Sequence, residues 1–358
     1  MMDTNKTTIA FIKLGKVLAS IGKCDEDYKK LNLTEVELDA VERLKDEIKD
    51  SYIYNKWFIP DFSHKAIASL GELLNENDLK LWLNKYPEIN QPKKAKNIGV
   101  VMAGNIPAVG FHDLLCVLVS GNNIIAKLSA DDNRIMPAIA NVLMTIDKSF
   151  EGRIKFTQGH LSDFDAIIAT GSNNTSRYFD YYFGKYPNII RKNRNSIAVL
   201  TGEETNEQLE FLASDIFDYF GLGCRNISKL YLPKAYPIAD LYKTFEKYSF
   251  LKDNSRYINN YDYNKSVYLV NKIDHLDNGF CIMKEDTNLI SPVSVIHYEF
   301  YDDISTLNGF LESINDKLQC IVSSSENINN KINFGDAQNP KLWDYADGID
   351  TMDFLFRI

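Results

Sequence analysis

Residues 98–129 read IGVVMAGNIPAVGFHDLLCVLVSGNNIIAKLS and carry the clearest structural pattern of the chain. The apolar runs at 98–102 and 124–127 have the length of buried strands, and the run at 108–120 has the length of a buried helix. A helix between two buried strands predicts a right-handed crossover and therefore a parallel pair of strands. The break at GNIP, residues 104–107, falls between the first strand and the helix.

The same alternation continues on the C-terminal side of this segment. The pattern predicts helices at about 134–148 and up to about 184, with strands at 166–170 and 196–200. Residues 91–200 are therefore predicted to form a doubly wound parallel sheet. After Gly202 the pattern restarts, and residues 201–330 are predicted to form a second α/β domain with strands near 229–232, 279–283, 293–298 and 319–323.

The two ends of the chain differ from this α/β pattern. Residues 1–90 are predicted to form a helical N-terminal segment, in which Thr34 and Glu37 have the spacing of a capping box. The tail, residues 331–358, is polar and then apolar. We expect the tail to contact a partner surface in a homo-oligomer.

The composition is that of an ordinary globular protein. The 358 residues are 45% hydrophobic and 25% charged, and roughly 150 residues make one domain. The formal charge of −9 argues against a general nucleic-acid or anionic-membrane binder, which needs a basic surface.

No apolar run approaches the roughly 18 residues of a membrane span, and the start of the chain is not a secretory signal. We expect a cytoplasmic protein without an integral membrane segment.

Five scattered cysteines include no CxxC pair, and the five histidines have no ligand spacing. Neither a disulfide framework nor a metal site is therefore predicted. Cys116, Cys281 and Cys320 lie in apolar runs and are expected to be buried. Cys224 lies in the loop FGLGCRN, where two glycines let the backbone approach a ligand. This thiol is a candidate nucleophile, although an inert cysteine is the commoner case.

Other candidate residues lie near the predicted strand ends. In an open α/β sheet, ligands bind outside the carboxyl ends of the strands. Asn105 follows the first strand, with a side-chain amide that can donate; an ordinary turn asparagine is the alternative. Lys127 ends the second strand, and the cluster at 191–194 supplies Arg191 and Arg194. These basic groups could hold cofactor phosphates, although a solvated loop explains the cluster as simply.

Four segments, in this order, resemble the aldehyde dehydrogenase superfamily. Residues 98–129 resemble its strand, Asn-Phe-Pro turn, helix and lysine-terminated strand. The cofactor-side turn of that superfamily is resembled by ATGSNNTSRYF (169–179), and its nucleophile loop is resembled by FGLGCRNISKLYLP (220–233). Its Glu-Ile-Phe-Gly-Pro-Val segment is resembled by NLISPVSVIHYEF (288–300). The motifs GNIPAVG, GLGCRN and GDAQ…DYADGIDT resemble most closely those of the acyl-CoA reductase family, which includes the fatty-acid reductase of bacterial luminescence. The resemblance covers residues 95–358.

The resemblance implies two Rossmann-like domains with a cleft between them. Residues 91–200 would bind the nicotinamide dinucleotide, and residues 201–330 would be catalytic. It makes Cys224 the nucleophile and Asn105 an oxyanion donor, paired with the backbone amide of Cys224. It places Lys127 and the Gly171-Ser172 turn against the cofactor, which in this family is usually NADPH, with NADH as the alternative.

The departures from the superfamily pattern bear on the reaction. IIRKNRNS (189–196) stands where aldehyde dehydrogenases carry Glu-Leu-Gly-Gly, so their water-activating glutamate is missing here. Glu203 and Glu204 lie beyond that strand and are poor substitutes. Asn288 stands where the superfamily has a glutamate that contacts the nicotinamide ribose.

The resemblance therefore implies an NADPH-dependent reductase of acyl-CoA or acyl-protein thioesters. Two alternatives remain open. One is an acyl transferase or thioesterase that uses Cys224 without hydride transfer, and the other is an idle aldehyde-dehydrogenase-fold subunit that serves assembly. The aromatic run YFDYYF (178–183) either lines an acyl channel or packs a helix, so the acyl group itself is not identified.

Overall fold

A computed structural model describes residues 4–91, 93–171 and 173–358. Their contacts divide the chain into two compact units. The first unit comprises Met1–Lys192 and Lys341–Ile358, and the second comprises Asn193–Pro340.

The first unit begins with a helical layer, as the sequence predicts. Thr34 and Glu37 cap the second helix reciprocally, because each side chain accepts a hydrogen bond from the other residue's backbone amide. The α-helices of this layer are α1 (Thr4–Gly22), α2 (Glu35–Tyr54), α3 (Pro60–Leu73) and α4 (Glu76–Leu83), with 3-10 turns at Asp27–Leu31 and Pro87–Asn90.

A parallel sheet follows, alternating with helices. Its strands are β1 (Asn97–Val101), β2 (Asn123–Lys127), β3 (Ile154–Thr157), β4 (Ala166–Thr170) and β5 (Asn188–Arg191). The helices are α5 (Phe111–Val119), α6 (Ile135–Ile146) and α7 (Asn173–Phe183). Within the described residues the strand order is β3-β2-β1-β4-β5. Val101 lies opposite Lys127, and Val100 lies opposite Ile168.

The core of the first unit joins the helical layer, the sheet and the C-terminal tail. Phe11, Leu44 and Trp82 of the helical layer, Ile98 of β1 and Leu355 of the tail are fully buried members of one apolar cluster. Their burial stabilises the unit by roughly 1.5–3 kcal/mol for each large side chain. The last helix, α12 (Thr351–Arg357), brings the end of the chain into this cluster.

The second unit contains a larger sheet. Its strands are β6 (Asn195–Val199), β7 (Ile227–Pro233), β8 (Leu276–Asp277), β9 (Ile282–Glu285), β10 (Val295–Tyr301), β11 (Leu318–Ser323) and β12 (Lys331–Ile332). Their order among the described residues is β12-β11-β6-β7-β10-β9-β8, and only the β8–β9 pair there is antiparallel. The helices are α8 (Asn206–Phe217), α9 (Ile238–Phe245), α10 (Ser255–Val270) and α11 (Ile304–Ser313).

The predicted α/β class with two doubly wound domains and a helical N-terminal segment is confirmed, but several details differ from the sequence-based expectation. The strand predicted at 196–200 belongs to the second sheet, where β6 pairs with β7 and β11. The chain passes from the first unit to the second after Lys192, whereas the sequence pattern placed this boundary near residue 201. The first sheet also contains β3 and β5, whose short sequences IKFT and NIIR are flanked by polar residues and gave no clear signal.

The tail, residues 331–358, is divided between the two units. Residues 331–340 belong to the second unit, and residues 341–358 pack within the first unit of the same chain. Leu342, Met352 and Leu355 are fully buried there. Across the described ranges, none of the helices combines the length and apolar character that a membrane crossing requires.

Candidate active site

The first sheet has a topological switch point between β1 and β4. The chain runs from β1 outward to β2 and β3, then returns to the other side of β1 to form β4 and β5. In such sheets a crevice for ligands opens at the carboxyl ends of the two strands where the order reverses. The loops that follow β1 and β4 contain Asn105 and Gly171, and Lys127 ends the neighbouring strand β2.

The turn after β1 is held in one conformation by its neighbours. A Cβ atom on Gly104 would lie 2.6 Å from Oγ of Ser129, so only glycine permits this close approach. Ala108 has a φ of 54°, and its N–H donates to Oδ2 of Asp132 at 2.7 Å. Asn105, between these two anchors, has an exposed side chain. The turn thus presents the Asn105 amide from a fixed backbone.

Asp132 was not among the predicted site residues. Its side chain is 5% exposed, and burial raises the pKa of this carboxyl to about 6. The signal in the sequence was weak, because ADDN after a strand reads as an ordinary polar turn.

Of the residues expected at the cofactor, Lys127 and Gly171 lie at the same edge of the first sheet. Lys127 is half-buried at the end of β2. A Cβ on Gly171 would lie 2.9 Å from the ring of Phe179 and 3.1 Å from Thr175, so α7 begins very close to this turn. Ser172 falls outside the described ranges.

Arg191 has a structural partner in place of the predicted phosphate. It is 6% exposed, and its guanidinium donates to both carboxylate oxygens of Asp113 at 2.6 and 2.7 Å. It also donates to Oγ1 of Thr351 in the tail at 3.1 Å. A bidentate buried pair of this kind commits the planar guanidinium to the protein itself. Arg194 belongs to the second unit, where it donates to the Leu318 carbonyl at 3.2 Å.

The loop that carries Cys224 connects α8 to β7 in the second unit. Cys224 is exposed, whereas Cys116, Cys281 and Cys320 are buried as predicted. Before it, Tyr219, Phe220 and Gly221 have φ values of 54°, 59° and 72°. Left-handed backbone at two bulky aromatic residues is uncommon and is maintained only where the surroundings fix it.

Asn226 supplies much of that restraint. Its Oδ1 accepts the N–H of Gly223 at 2.8 Å, and its Nδ2 donates to the backbone carbonyls of Asp215, Ile216 and Asp218. On the other side, the hydroxyl of Ser196 donates to the Cys224 carbonyl at 2.9 Å. The exposed thiol is therefore carried on a loop whose backbone is bonded to both α8 and β6.

A second anchor of this loop was missed from the sequence. The carboxylate of Asp215, on α8, is fully buried and accepts the N–H groups of Gly335 at 2.7 Å and Ala337 at 3.2 Å. The Ala337 carbonyl in turn accepts from Nε of Arg225, the residue after the cysteine. Burial raises the pKa of Asp215 to about 7. An acid in an amphipathic helix gave no sequence signal for this contact.

The segment around Asn288 is held against the second sheet by the buried side chains of Lys229 and His297. Lys229 is fully buried, and its ammonium donates to the Thr287 carbonyl at 2.9 Å and to Glu299 at 2.6 Å. Nδ1 of His297 lies 3.0 Å from the Asn288 carbonyl. Partial burial by itself would raise the pKa of the Asp286 carboxyl. The ion pair with Lys284 helps to outweigh that effect, and the pKa is lowered to about 2.

Of the two glutamates beyond β6, Glu204 has a structural role. The Glu204 carboxylate accepts from the N–H of Thr201 at 2.6 Å and of Gly202 at 3.0 Å, so it closes the turn that follows the strand. Glu203 is exposed at the same turn. Glu204 is therefore committed to its own backbone in the second unit.

No protein-family model and no curated protein matches this sequence. Solved structures do match it, and they show that the chain has the aldehyde dehydrogenase fold.

Three of these structures illustrate the likeness. Aldehyde dehydrogenase 21 from Physcomitrella patens, in complex with the reaction product succinate, is 11% identical with a TM-score of 0.65, and the match covers 99% of this chain and 84% of that one. The NAD-dependent benzaldehyde dehydrogenase from Corynebacterium glutamicum is 12% identical (TM-score 0.59; 92% and 83%). The propionaldehyde dehydrogenase from the fucose utilisation microcompartment of Clostridium phytofermentans is 10% identical (TM-score 0.55; 92% and 80%).

Proposed function

We propose that this protein is an acyl-thioester reductase that converts acyl-CoA, or an acyl group on a protein thiol, to an aldehyde with NADPH. The observation that carries the proposal is the exposed Cys224 on a backbone-restrained loop, in a fold shared with aldehyde dehydrogenases. The water-activating glutamate of those enzymes has no counterpart in IIRKNRNS. A thioester reductase needs no activated water, which would hydrolyse its acyl-enzyme.

The first half of the reaction belongs to Cys224. Its thiolate attacks the thioester carbonyl, the C–S bond to CoA breaks, and CoA thiolate leaves with a proton taken from solvent. The acyl group is then bonded to the Cys224 sulfur. The Asn105 amide and the backbone N–H of Cys224 would donate to the oxyanion that forms on the way; the loss of one such donor typically costs about 2.7–4 kcal/mol of transition-state stabilisation.

The first sheet fits a dinucleotide at its carboxyl edge. The switch point between β1 and β4, the half-buried Lys127 and the narrow turn at Gly171 are the features that a nucleotide would contact there. We assign cofactor contacts to Lys127, Gly171 and Ser172, and a phosphate contact to Arg194. Arg191, paired with Asp113, serves the packing of the tail.

A reduced nicotinamide, when bound, supplies a hydride to the acyl carbon. The residues of the chain then complete the turnover. Asn105 and the Cys224 amide hold the oxygen of the resulting thiohemiacetal, and the Cys224 sulfur leaves as thiolate when the carbonyl of the aldehyde re-forms. We further propose that the protein works as a homo-oligomer, as the resemblance implies.

The test is a two-channel assay on the purified full-length chain. Acyl-CoAs of several chain lengths are mixed with NADPH, and the loss of NADPH absorbance is followed together with the release of free thiol. We expect the two signals to be equal in amount, because each turnover releases one CoA and oxidises one NADPH. Cys224→Ala should abolish both while NADPH binding, followed by fluorescence, is retained.

Cys24→Ala is the matched control, since Cys24 is also exposed and lies in the helical layer. Near-normal turnover in Cys224→Ala would refute the mechanism. Thiol release without NADPH loss would identify a transferase or thioesterase, and the absence of both signals together with the absence of NADPH binding would identify an idle subunit.

A further inference from the structure

The residues 333–338, NFGDAQ, form a segment that we name the clamp, because it is bonded both to α8 and to the residue after Cys224. Gly335 and Ala337 of the clamp donate their N–H groups to the two oxygens of the Asp215 carboxylate. The carbonyl of Ala337 accepts from the guanidinium of Arg225. The clamp therefore links a buried acid to the nucleophile loop by three hydrogen bonds.

The geometry leaves the clamp little freedom. Gly335 has a φ of 88°, and a Cβ there would lie 3.1 Å from the ring of Phe211 on α8. Phe334 and Ala337 are buried beside it, at 7% and 0% exposure. Because the backbone of the clamp lies against α8, the Asp215 carboxylate is the group that satisfies its buried amides, and an unsatisfied buried donor is costly.

We propose that Asp215 is a positioning residue for the nucleophile: its ionised carboxylate holds the clamp, and through Ala337 and Arg225 the clamp fixes the backbone that presents Cys224. This inference rests on the proposed role of Cys224. Asp215 itself contacts neither thiol nor substrate. It acts through the loop, in the way that supporting hydrogen bonds fix the orientation of groups that react.

Ionisation of Asp215 makes this positioning dependent on pH. Burial raises its pKa to about 7. Asp218 and Asp336 lie near it and contribute to the raised pKa. The other titratable or charged groups around it are Tyr248, which donates to Asp218 at 3.0 Å, and Arg225 at the far side of the clamp. As pH falls through 7, one carboxylate oxygen gains a proton and ceases to be a pure acceptor. The longer bond, to Ala337, is the one we expect to weaken.

Asp215→Asn tests the proposal, because its amide offers one acceptor where two N–H groups must be satisfied. We expect kcat for acyl-CoA reduction to fall by about tenfold to a hundredfold, with KM for NADPH within about twofold of the wild type. The wild-type kcat should decline as pH falls through 7, and the variant should lack that inflection. A role in folding alone would leave the shape of the pH profile unchanged.

Two further measurements do not depend on reductase activity. Amide hydrogen exchange should accelerate in peptides that cover 221–226 and 333–338, and not in the helical layer of the first unit. The rate of iodoacetamide alkylation of Cys224, quantified on its own peptide because Cys24 is also exposed, should change by at least about threefold. If the wild type proved to lack reductase activity, these results would still support or overturn the positioning role.

Arg225→Met breaks the link at its other end without touching the buried acid, and it guards against a variant of Asp215 that fails to fold. Its effect on kcat and on Cys224 alkylation should be non-additive with that of Asp215→Asn, because the two act in one chain of contacts. Asp302→Asn, an exposed acid of the second unit, is the control for loss of one charge. Unchanged exchange and alkylation in Asp215→Asn, or fully additive effects in the double variant, would overturn the proposal.

Discussion

At the scale of single residues, two buried carboxylates hold the two candidate catalytic loops by the same means. Asp132 accepts the N–H of Ala108 in the turn that carries Asn105, and Asp215 accepts two N–H groups of the clamp. Burial raises the pKa of both carboxyls, to about 6 and about 7. Asp132 thus satisfies a backbone donor of the turn itself, whereas Asp215 satisfies two backbone donors of the clamp beside the nucleophile loop.

The elevated pKa of Asp132 predicts a pH-dependent stability. A folded-state pKa near 6 lies above the unfolded value of about 3.9, so the native state binds the proton more tightly. The contribution of this group to stability is therefore fully present below about pH 4 and is lost as pH rises through 6. The slope is at most about 1.4 kcal/mol per pH unit.

Asp132→Asn removes this titration while the amide oxygen still accepts from Ala108. We expect the free energy of unfolding of the variant, relative to the wild type, to increase between pH 4.5 and pH 8 in urea titrations. Asp132→Ala should instead destabilise by about 1–3 kcal/mol, because the buried N–H of Ala108 is left without its acceptor. An Asn variant whose relative stability was the same at both pH values would contradict the assignment.

At the scale of elements, the C-terminal segment 341–358 is attached to the helical layer by a chain of hydrogen bonds. The indole N–H of Trp82 donates to the Tyr345 hydroxyl at 2.7 Å, that hydroxyl lies 2.6 Å from the Tyr86 hydroxyl, and Tyr86 donates to Asp350 at 2.8 Å. In this chain each group donates to the next, from Trp82 towards Asp350. Hydrogen bonds aligned in this way strengthen one another.

Tyr345→Phe interrupts that chain at its centre. We expect a loss of about 1–3 kcal/mol in the free energy of unfolding, because the Trp82 indole N–H then lacks an acceptor in the protein interior. Thermal and urea unfolding would measure it. Tyr181→Phe, at a position 83% exposed on α7, serves as the control and should lie within about 0.5 kcal/mol of the wild type. Equal stability of the two variants would show that the chain contributes nothing.

At the scale of the whole molecule, the tail is part of a unit and does not require a partner chain to bury its apolar residues. The first unit is discontinuous in sequence, since its core contains both the helical layer and Leu342, Met352 and Leu355 from the end of the chain. These three buried side chains are therefore not available to an oligomer interface, and a contact of the tail with a partner chain would use its exposed residues, such as Ile349.

Leu355→Asp tests this placement. A charge at a fully buried position should destabilise the protein by more than about 3 kcal/mol and lower its melting temperature. Ile349→Asp, at a position 39% exposed in the same tail, should have a much smaller effect. If Leu355→Asp left stability intact and only changed the oligomeric state seen by light scattering, the tail would be an interface after all.

Local patterns in the sequence were enough to predict the fold class and the order of its main elements. Apolar runs of strand and helix length recur from residue 98 onward, and periodicity is local information that each segment carries alone. The capping box at Thr34 and the burial of three cysteines followed for the same reason. Asn105 and Cys224 were proposed from local motifs and from resemblance, and their catalytic roles remain predictions.

Tertiary packing determines which sheet each strand joins and which distant groups hold the loops. Three examples are the placement of β6 in the second sheet, the pairing of Arg191 with Asp113, and the contact of Asp215 with the clamp. In the last two, the bonded residues lie 78 or more positions apart in the sequence. Such contacts depend on how elements pack, and no local pattern encodes them. A buried acid looks like any other helical acid until the backbone amides that it satisfies are brought to it.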